Sequence, residues 1–233
     1  MGQGAETFLN SFNRVEKWLR EQLNNSSNIG FSEMVRRLAR KKGSQVGTVE
    51  EDLLQMAQLR NAIVHERISQ EFIIAEPNEW AVNRMVEIEQ LLVSPAKVLP
   101  RFSKKVTGFE TNISIKEILA IVVRKRYSQF PIYKKGIFQG LITVHGIGFW
   151  FAMESEKGEI YIEGRKASEL LEINRNKINY HFVNGETTIF EAQELFSNQP
   201  WLEAILITRN ADPNGNLLGI IRPKDLYKIL EKE

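Results

Sequence analysis

Apolar side chains along the first hundred residues recur every three or four positions. Phe8, Phe12, Val15, Leu19 and Leu23 fall on one helical face. Asn24-Asn25-Ser26-Ser27-Asn28 breaks that pattern with turn-forming side chains. A second helix is predicted to open at Ser32-Glu33, to carry Met34, Val35 and Leu38, and to stop at Gly43. Thr48 reads as the N-cap of a third, with Glu50, Glu51 and Asp52 in the first turn, where the helix dipole favours acids. That helix runs through Leu53, Met56, Ala57, Arg60 and Val64. A fourth starts near Asn78, uses Trp80, Met85, Ile88, Leu91 and Leu92, and ends before Pro95. Four helices with short connections predict an antiparallel bundle.

Ser94-Pro95-Ala96-Lys97-Val98-Leu99-Pro100 is a two-proline spacer and marks a domain boundary. Beyond it the texture changes. A helical segment from Ser114 to Arg126 precedes two β-rich runs, Phe130 to Tyr133 and Gly140 to Thr143, with Lys134-Lys135-Gly136 as the turn between them. The same order returns: a helix opening at Thr188, a strand from Ala204 to Thr208, a turn through Asp212-Pro213-Asn214-Gly215, a strand Gly219-Ile220-Ile221 and a closing helix from Lys224 to Leu230. Gly140 and Gly219 match, so this half holds two copies of one unit. The fold class is therefore α+β. An antiparallel helical bundle over 1–99 is followed by two β-α-β-β-α repeats over 101–233, the first about 101–154 and the second about 165–233.

Charge and composition narrow the function classes. With no cysteine, disulfides and thiolate metal sites are ruled out, and three scattered histidines argue against a zinc centre. No run of about 18 apolar residues is present, and the N-terminus lacks a charged-then-apolar leader, so a cytoplasmic protein without membrane contact is expected. The net charge of +2 is unevenly spread. Residues 1–45 hold eight Lys or Arg against four Glu, whereas 46–99 hold four basic and nine acidic residues. In the basic part, Arg36, Arg37, Arg40 and Lys41 form a run opposite Met34 and Leu38. It reads either as a solvated helix face or as an RNA-phosphate track.

Gly140-Leu141-Ile142-Thr143 and Gly219-Ile220-Ile221-Arg222-Pro223-Lys224-Asp225 give the second half its chemistry. Through them the repeats resemble CBS domains, which pair within a chain to hold adenine nucleotides. The resemblance implies AMP, ADP, ATP or a cyclic dinucleotide as a regulatory ligand. In that family a threonine closes the strand and meets phosphate at a helix start, and an aspartate three residues later accepts bonds from ribose. The first copy keeps Thr143 but has Gly146 at the aspartate position. The second keeps Asp225 but has Arg222 at the threonine position. A ribose contact is therefore expected only in the second copy, with Arg222 on phosphate. Phe130 lies where the family lines its adenine slot. Each residue also has a plainer reading: Asp225 as a dipole-stabilising carboxylate, Thr143 as a strand-end hydroxyl, and Arg222 as the partner of a nearby acid.

Arg60-Asn61-Ala62-Ile63-Val64-His65 gives the bundle its chemistry. Asn61 and His65, four apart, share a helical face, and the long stem of Arg60 lets its guanidinium reach them. With that spacing near the end of the third long helix, residues 5–98 resemble HEPN domains, whose members include metal-independent ribonucleases. The resemblance implies RNA as substrate, no cofactor for catalysis, and a homodimer that brings two copies of Arg60, Asn61 and His65 together. Histidine titrates near neutrality and can move a proton, while arginine stabilises charge on phosphoryl oxygens. The alternative is a non-enzymatic nucleotide sensor whose bundle dimerises and binds a partner or RNA.

Overall fold

The computed structural model describes residues 2–24, 28–65, 67–69, 72–73, 75–173 and 178–230. The chain divides into two compact units, 1–96 and 97–233.

The first unit is helical. Its elements are α1 (Gln3–Gln22), α2 (Phe31–Ala39), the short α3 (Gln45–Thr48), α4 (Glu50–His65) and α5 (Glu79–Val93), with a small antiparallel hairpin of β1 (Arg67–Ser69) and β2 (Phe72–Ile73) before α5. One core takes Phe8, Phe12, Val15 and Leu19 from α1, Met34, Val35 and Leu38 from α2, Leu53 and Met56 from α4, and Met85, Ile88 and Leu92 from α5. Burying such side chains is worth roughly 1.5–3 kcal/mol each before entropy is counted. Two ion pairs tie α5 to its neighbours, Arg14–Glu89 at 2.6 Å and Arg84–Asp52 at 2.6 Å. Asn78 caps α5 by accepting the Ala81 N–H at 2.9 Å. In the Asn/Ser break, residues 25–27 lie outside the described residues, and Asn24 takes a left-handed φ of 56°.

Three expectations change here. Thr48 closes α3, its hydroxyl donating to the Gln45 carbonyl at 2.8 Å, so it does not cap α4. Trp80 is 58% exposed, because the buried stripe of α5 runs Ala81, Met85, Ile88, Leu92 and leaves position 80 on the outer side. In α4 the core takes Ile63, at 4% exposure, rather than Val64. The helix carries apolar side chains on several faces, and simple periodicity could not choose between these two.

The second unit contains two three-stranded sheets of identical topology. The first gathers α6 (Val98–Arg101), β3 (Phe109–Glu110), α7 (Ile115–Lys125), β4 (Gln129–Lys134), β5 (Ile137–Thr143) and α8 (Val144–Ser155). The second gathers α9 (Ala167–Ile173), β6 (Tyr180–Val183), α10 (Ile189–Asn198), β7 (Ala204–Ile207), β8 (Gly219–Ile221) and α11 (Pro223–Leu230). In each, the first strand pairs parallel with the second and the second antiparallel with the third. Both crossover helices begin with a capping box, Ser114 with Glu117 and Thr188 with Glu191, which satisfies the exposed N–H groups of the first turn.

The two copies exchange their opening segments. Val98 N–H donates to Thr187 O at 2.8 Å, and Ala167 N–H donates to Ile113 O at 2.8 Å. Each copy's lead-in therefore docks beside the helix cap of the other. Lys97 bridges to Thr188 as Lys166 bridges to Ser114. The docking is tightest over the matched glycines. A β-carbon at Gly219 would run into the Phe102 carbonyl oxygen, and one at Gly140 would meet the Leu171 side chain at 3.0 Å. Between the sheets, Leu141, Ala204, Leu206 and Ile220 are buried together. Phe138 presents its ring edge-on to Tyr180 and Phe182, both at 4.9 Å. Among the described residues, no helix is long and apolar enough to cross a membrane, and no cluster of His, Asp and Glu is placed to hold a metal.

The Gly219 contact sets a prediction. Gly219→Ala forces the lead-in carbonyl aside and should destabilise this unit by about 1–3 kcal/mol. Gly148→Ala, in α8 with open space around it, should be neutral or stabilise by roughly 0.5–1 kcal/mol. Chemical denaturation of both variants checks the contrast.

Candidate functional site

Position 225 is the third residue of α11, and its carboxylate turns back on the helix start. Asp225 Oδ2 accepts the Arg222 backbone N–H at 2.9 Å and Nε at 2.8 Å, while Oδ1 accepts Nη2 at 2.6 Å. This forked pair is charge-assisted and only partly exposed, at 26% and 16% of the two side chains. Burial would push the Asp225 carboxyl up, but the Arg222 bonds and charge, with Lys104 beyond, hold it below the usual carboxylate range. Asp225 thus does serve the helix start, and Arg222 does take a nearby acid as partner. The same geometry leaves a cationic rim. Lys104 donates its N–H to Leu218 O at 3.1 Å, which lays the lead-in of the first copy beside β8 of the second. Loss of surrounding water lowers the Lys104 pKa, Asp225 opposes that, and the charges of Arg222 and Lys224 reinforce it. Four charged groups from two distant stretches thereby act on one another at one helix N-terminus.

The corresponding place in the first copy has different chemistry. Thr143 is 1% exposed, and its hydroxyl accepts the Gly146 N–H at 3.0 Å, which makes it the N-cap of α8. By register, Ile178 stands where the other site has Lys104, Thr143 where it has Arg222, His145 where it has Lys224, and Gly146 where it has Asp225. Buried Asn179 donates to Leu141 O at 3.5 Å and to Glu203 Oε1 at 3.3 Å, and His145 Nδ1 lies 3.5 Å from the same oxygen. A carboxylate, a neutral threonine and an apolar side chain there replace the cations of the second copy. His145 is in the first turn of α8, and His181 is in β6. Phe130 is fully buried in the core of the first copy, its ring 5.5 Å from Phe109, so it fills the interior rather than a surface slot.

In the helical unit, Arg36, Arg60 and Asn61 line one cavity of about 480 Å³ with Phe12 and Phe31. Arg60 Nη1 donates to Asn61 Oδ1 at 3.4 Å, and its guanidinium lies 6.0 Å above the Phe12 ring. Glu16 and Glu33 share the lining. Glu33 is bonded by Arg37 Nε at 2.7 Å, which lowers its pKa and holds a negative charge at the rim. Arg37, Arg40 and Lys41 are exposed and outside that lining, as a solvated face would be. The His65 side chain lies outside the described residues.

Sequence reading missed Lys104. Nothing local distinguishes it from Lys105; only the exchange of lead-in segments brings it to α11.

Residues 172–232 match the family model for the CBS domain. No curated protein matches the chain. Among solved structures, the CBS domain pair of protein MJ0100, in complex with 5′-methylthioadenosine and S-adenosyl-L-methionine, is 19% identical over 59% of this chain and 98% of that one, with a TM-score of 0.46. The CBS domain of a bacterial CNNM/CorC family Mg2+ transporter in complex with ATP is 14% identical over 64% and 95%, with a TM-score of 0.46. CBSX2 in complex with AMP is 14% identical over 57% and 94%, with a TM-score of 0.41.

The Arg222–Asp225 pair makes a titration prediction. In wild type the Asp225 carboxyl stays ionised to below the ordinary value of about 3.9. Its contribution to stability is present above that value and is lost as pH falls through the lower folded-state pKa. Arg222→Ala removes the two side-chain bonds and the charge but not the burial or the backbone N–H bond, so the pKa should rise and acid destabilisation should begin at higher pH. Carbon-detected NMR titration of the carboxyl reads the shift directly.

Proposed function

We propose that the chain is a nucleotide sensor in which residues 97–233 act as a pair of CBS domains and the helical unit carries the output. The observation that supports this reading is the forked Arg222–Asp225 pair at the start of α11, next to Lys224 and to the lead-in that carries Lys104 alongside β8; residues 222–225 lie inside the segment that matches the CBS model. A helix N-terminus with three cations accepts phosphate, and a carboxylate accepts ribose hydroxyls. The ligand class is an adenine nucleotide, AMP, ADP, ATP or a cyclic dinucleotide, at one site per chain. The first-copy position lacks the cations, has Gly146 in place of Asp225, and sets Glu203 nearby, which repels phosphate. Lys104 also links the site to the output, since the lead-in that carries it continues directly from the spacer after α5.

Calorimetry with AMP and ATP should give one site per chain, weakened at least tenfold by Asp225→Ala and by Lys104→Ala. No binding of either nucleotide at millimolar concentration, or two equivalent sites, contradicts this reading.

A second reading is favoured by the cavity that gathers Arg36, Arg60 and Asn61. In it the helical unit acts as a HEPN-type, metal-independent ribonuclease whose homodimer supplies two copies of His65 as proton carriers. Wild type should then cut RNA in EDTA while His65→Ala is at least a hundredfold slower. Equal rates would remove that reading.

A further inference from the structure

The pseudo-symmetry of the two copies exposes a site that is separate from the Asp225 helix start and reaches Ile178 and Asn179 beside the first-copy one. At the hairpin end of the first sheet, where α9 docks, there is a cavity of about 580 Å³, within the roughly 300–1,000 Å³ of small-molecule sites. The equivalent place in the second copy carries side chains that can be matched one by one. There Lys97 is ion-paired with Glu186, and Leu99, Phe102 and Leu218 supply apolar bulk. In the first copy the equivalent lysine is Lys166, but the equivalent of Glu186 is Asn112. Ser168 replaces Leu99, Leu171 replaces Phe102, and Gln139 replaces Leu218. The acid of that ion pair is gone and two apolar groups have become polar, while Glu172 enters the lining where the second copy has Ser103.

Two cations are left facing that space. Lys134, at the end of β4, and Lys166, at the start of α9, both line the cavity, and neither side chain has an ion pair among the described residues. The remaining polar lining offers hydroxyl and amide groups, including Thr111, Asn112, Gln139 and Ser168, and the carboxylate of Glu172, which can accept polyol hydroxyls.

We propose that this cavity binds the phosphate monoester of a small polyol, with Lys134 and Lys166 on the phosphate and the hydroxyl and amide groups on the polyol. A phosphate monoester carries about −1.5 to −2 charges at neutral pH, which two lysines match and a single carboxylate does not. The site is separate from Asp225 and stands whether or not a nucleotide binds there.

The probe is ribose 5-phosphate, with ribose as the uncharged control, titrated calorimetrically into the full-length protein. Wild type should bind ribose 5-phosphate and not ribose. Asn112→Glu, which restores the acid that neutralises the lysine in the other copy, should weaken binding at least tenfold. So should the double change Lys134→Ala with Lys166→Ala, which alters only exposed side chains and leaves the fold intact. Asp225→Ala should bind as wild type does. Absence of binding to wild type, binding that survives either lining change, or loss of binding in Asp225→Ala overturns the proposal. Loss in Asp225→Ala would instead assign the phosphate to the helix start of the second copy.

Discussion

The second unit depends on a close approach of backbone to glycine. Where the lead-in of the first copy passes over β8 there is no room for a β-carbon at Gly219, since the Phe102 carbonyl occupies its place. At Gly140 the tight contact is with a side chain, Leu171, which can adjust. Because each lead-in docks on the other copy, neither sheet completes its own packing. Removing one copy would expose the cap region of the other together with the apolar face shared by Leu141, Ala204, Leu206 and Ile220. Two copies that borrow from each other should behave as one cooperative body.

The exchange also decides where charge collects. Lys104 reaches α11 only because its chain has crossed to the other copy, so the site at Asp225 is made from residues 104 and 222–225, not from a local motif. Two sheets of the same topology then acquire opposite character through a few substitutions. Lys104, Arg222 and Lys224 gather at one helix start, while Ile178, Thr143 and His145 stand at the other with Glu203 close by. The repeats are alike as scaffolds and unlike as binding surfaces, which is how a duplicated unit can keep its fold while its two sites diverge.

Much of this was legible in the sequence. Strong local signals survived: the helix limits at Ser114, Arg126 and Thr188, which the structure shows as two capping boxes and a left-handed C-cap, and the Gly140 and Gly219 match that defines the repeat. Asn78 as a cap was equally readable, because the side chain bonds three residues on. The misreadings arose where a local rule met a tertiary constraint. Thr48 has the residue type of a cap, but a preceding turn of helix claimed it. Trp80 has the residue type of a core, but the phase of α5 turned it outward. Phe130 lies near the expected slot, but the pleat directed its ring into the core. The Arg222–Asp225 bond was foreseen as an alternative, and the structure shows that alternative in full. Lys104, Lys134 and Lys166 could not be picked out, since their setting depends on partners roughly 30 to over 100 residues away.

The exchanged lead-ins are part of one folded body rather than tethers lying on it. Native-state hydrogen exchange tests this through two amides, Val98 bonded to Thr187 and Ala167 bonded to Ile113. If the claim holds, both exchange only by the opening that also frees core strand amides such as those of Ile205 and Ile207, with the same free energy and the same denaturant dependence. Exchange of Val98 or Ala167 by a separate, low-energy opening while the strands stay protected would contradict it.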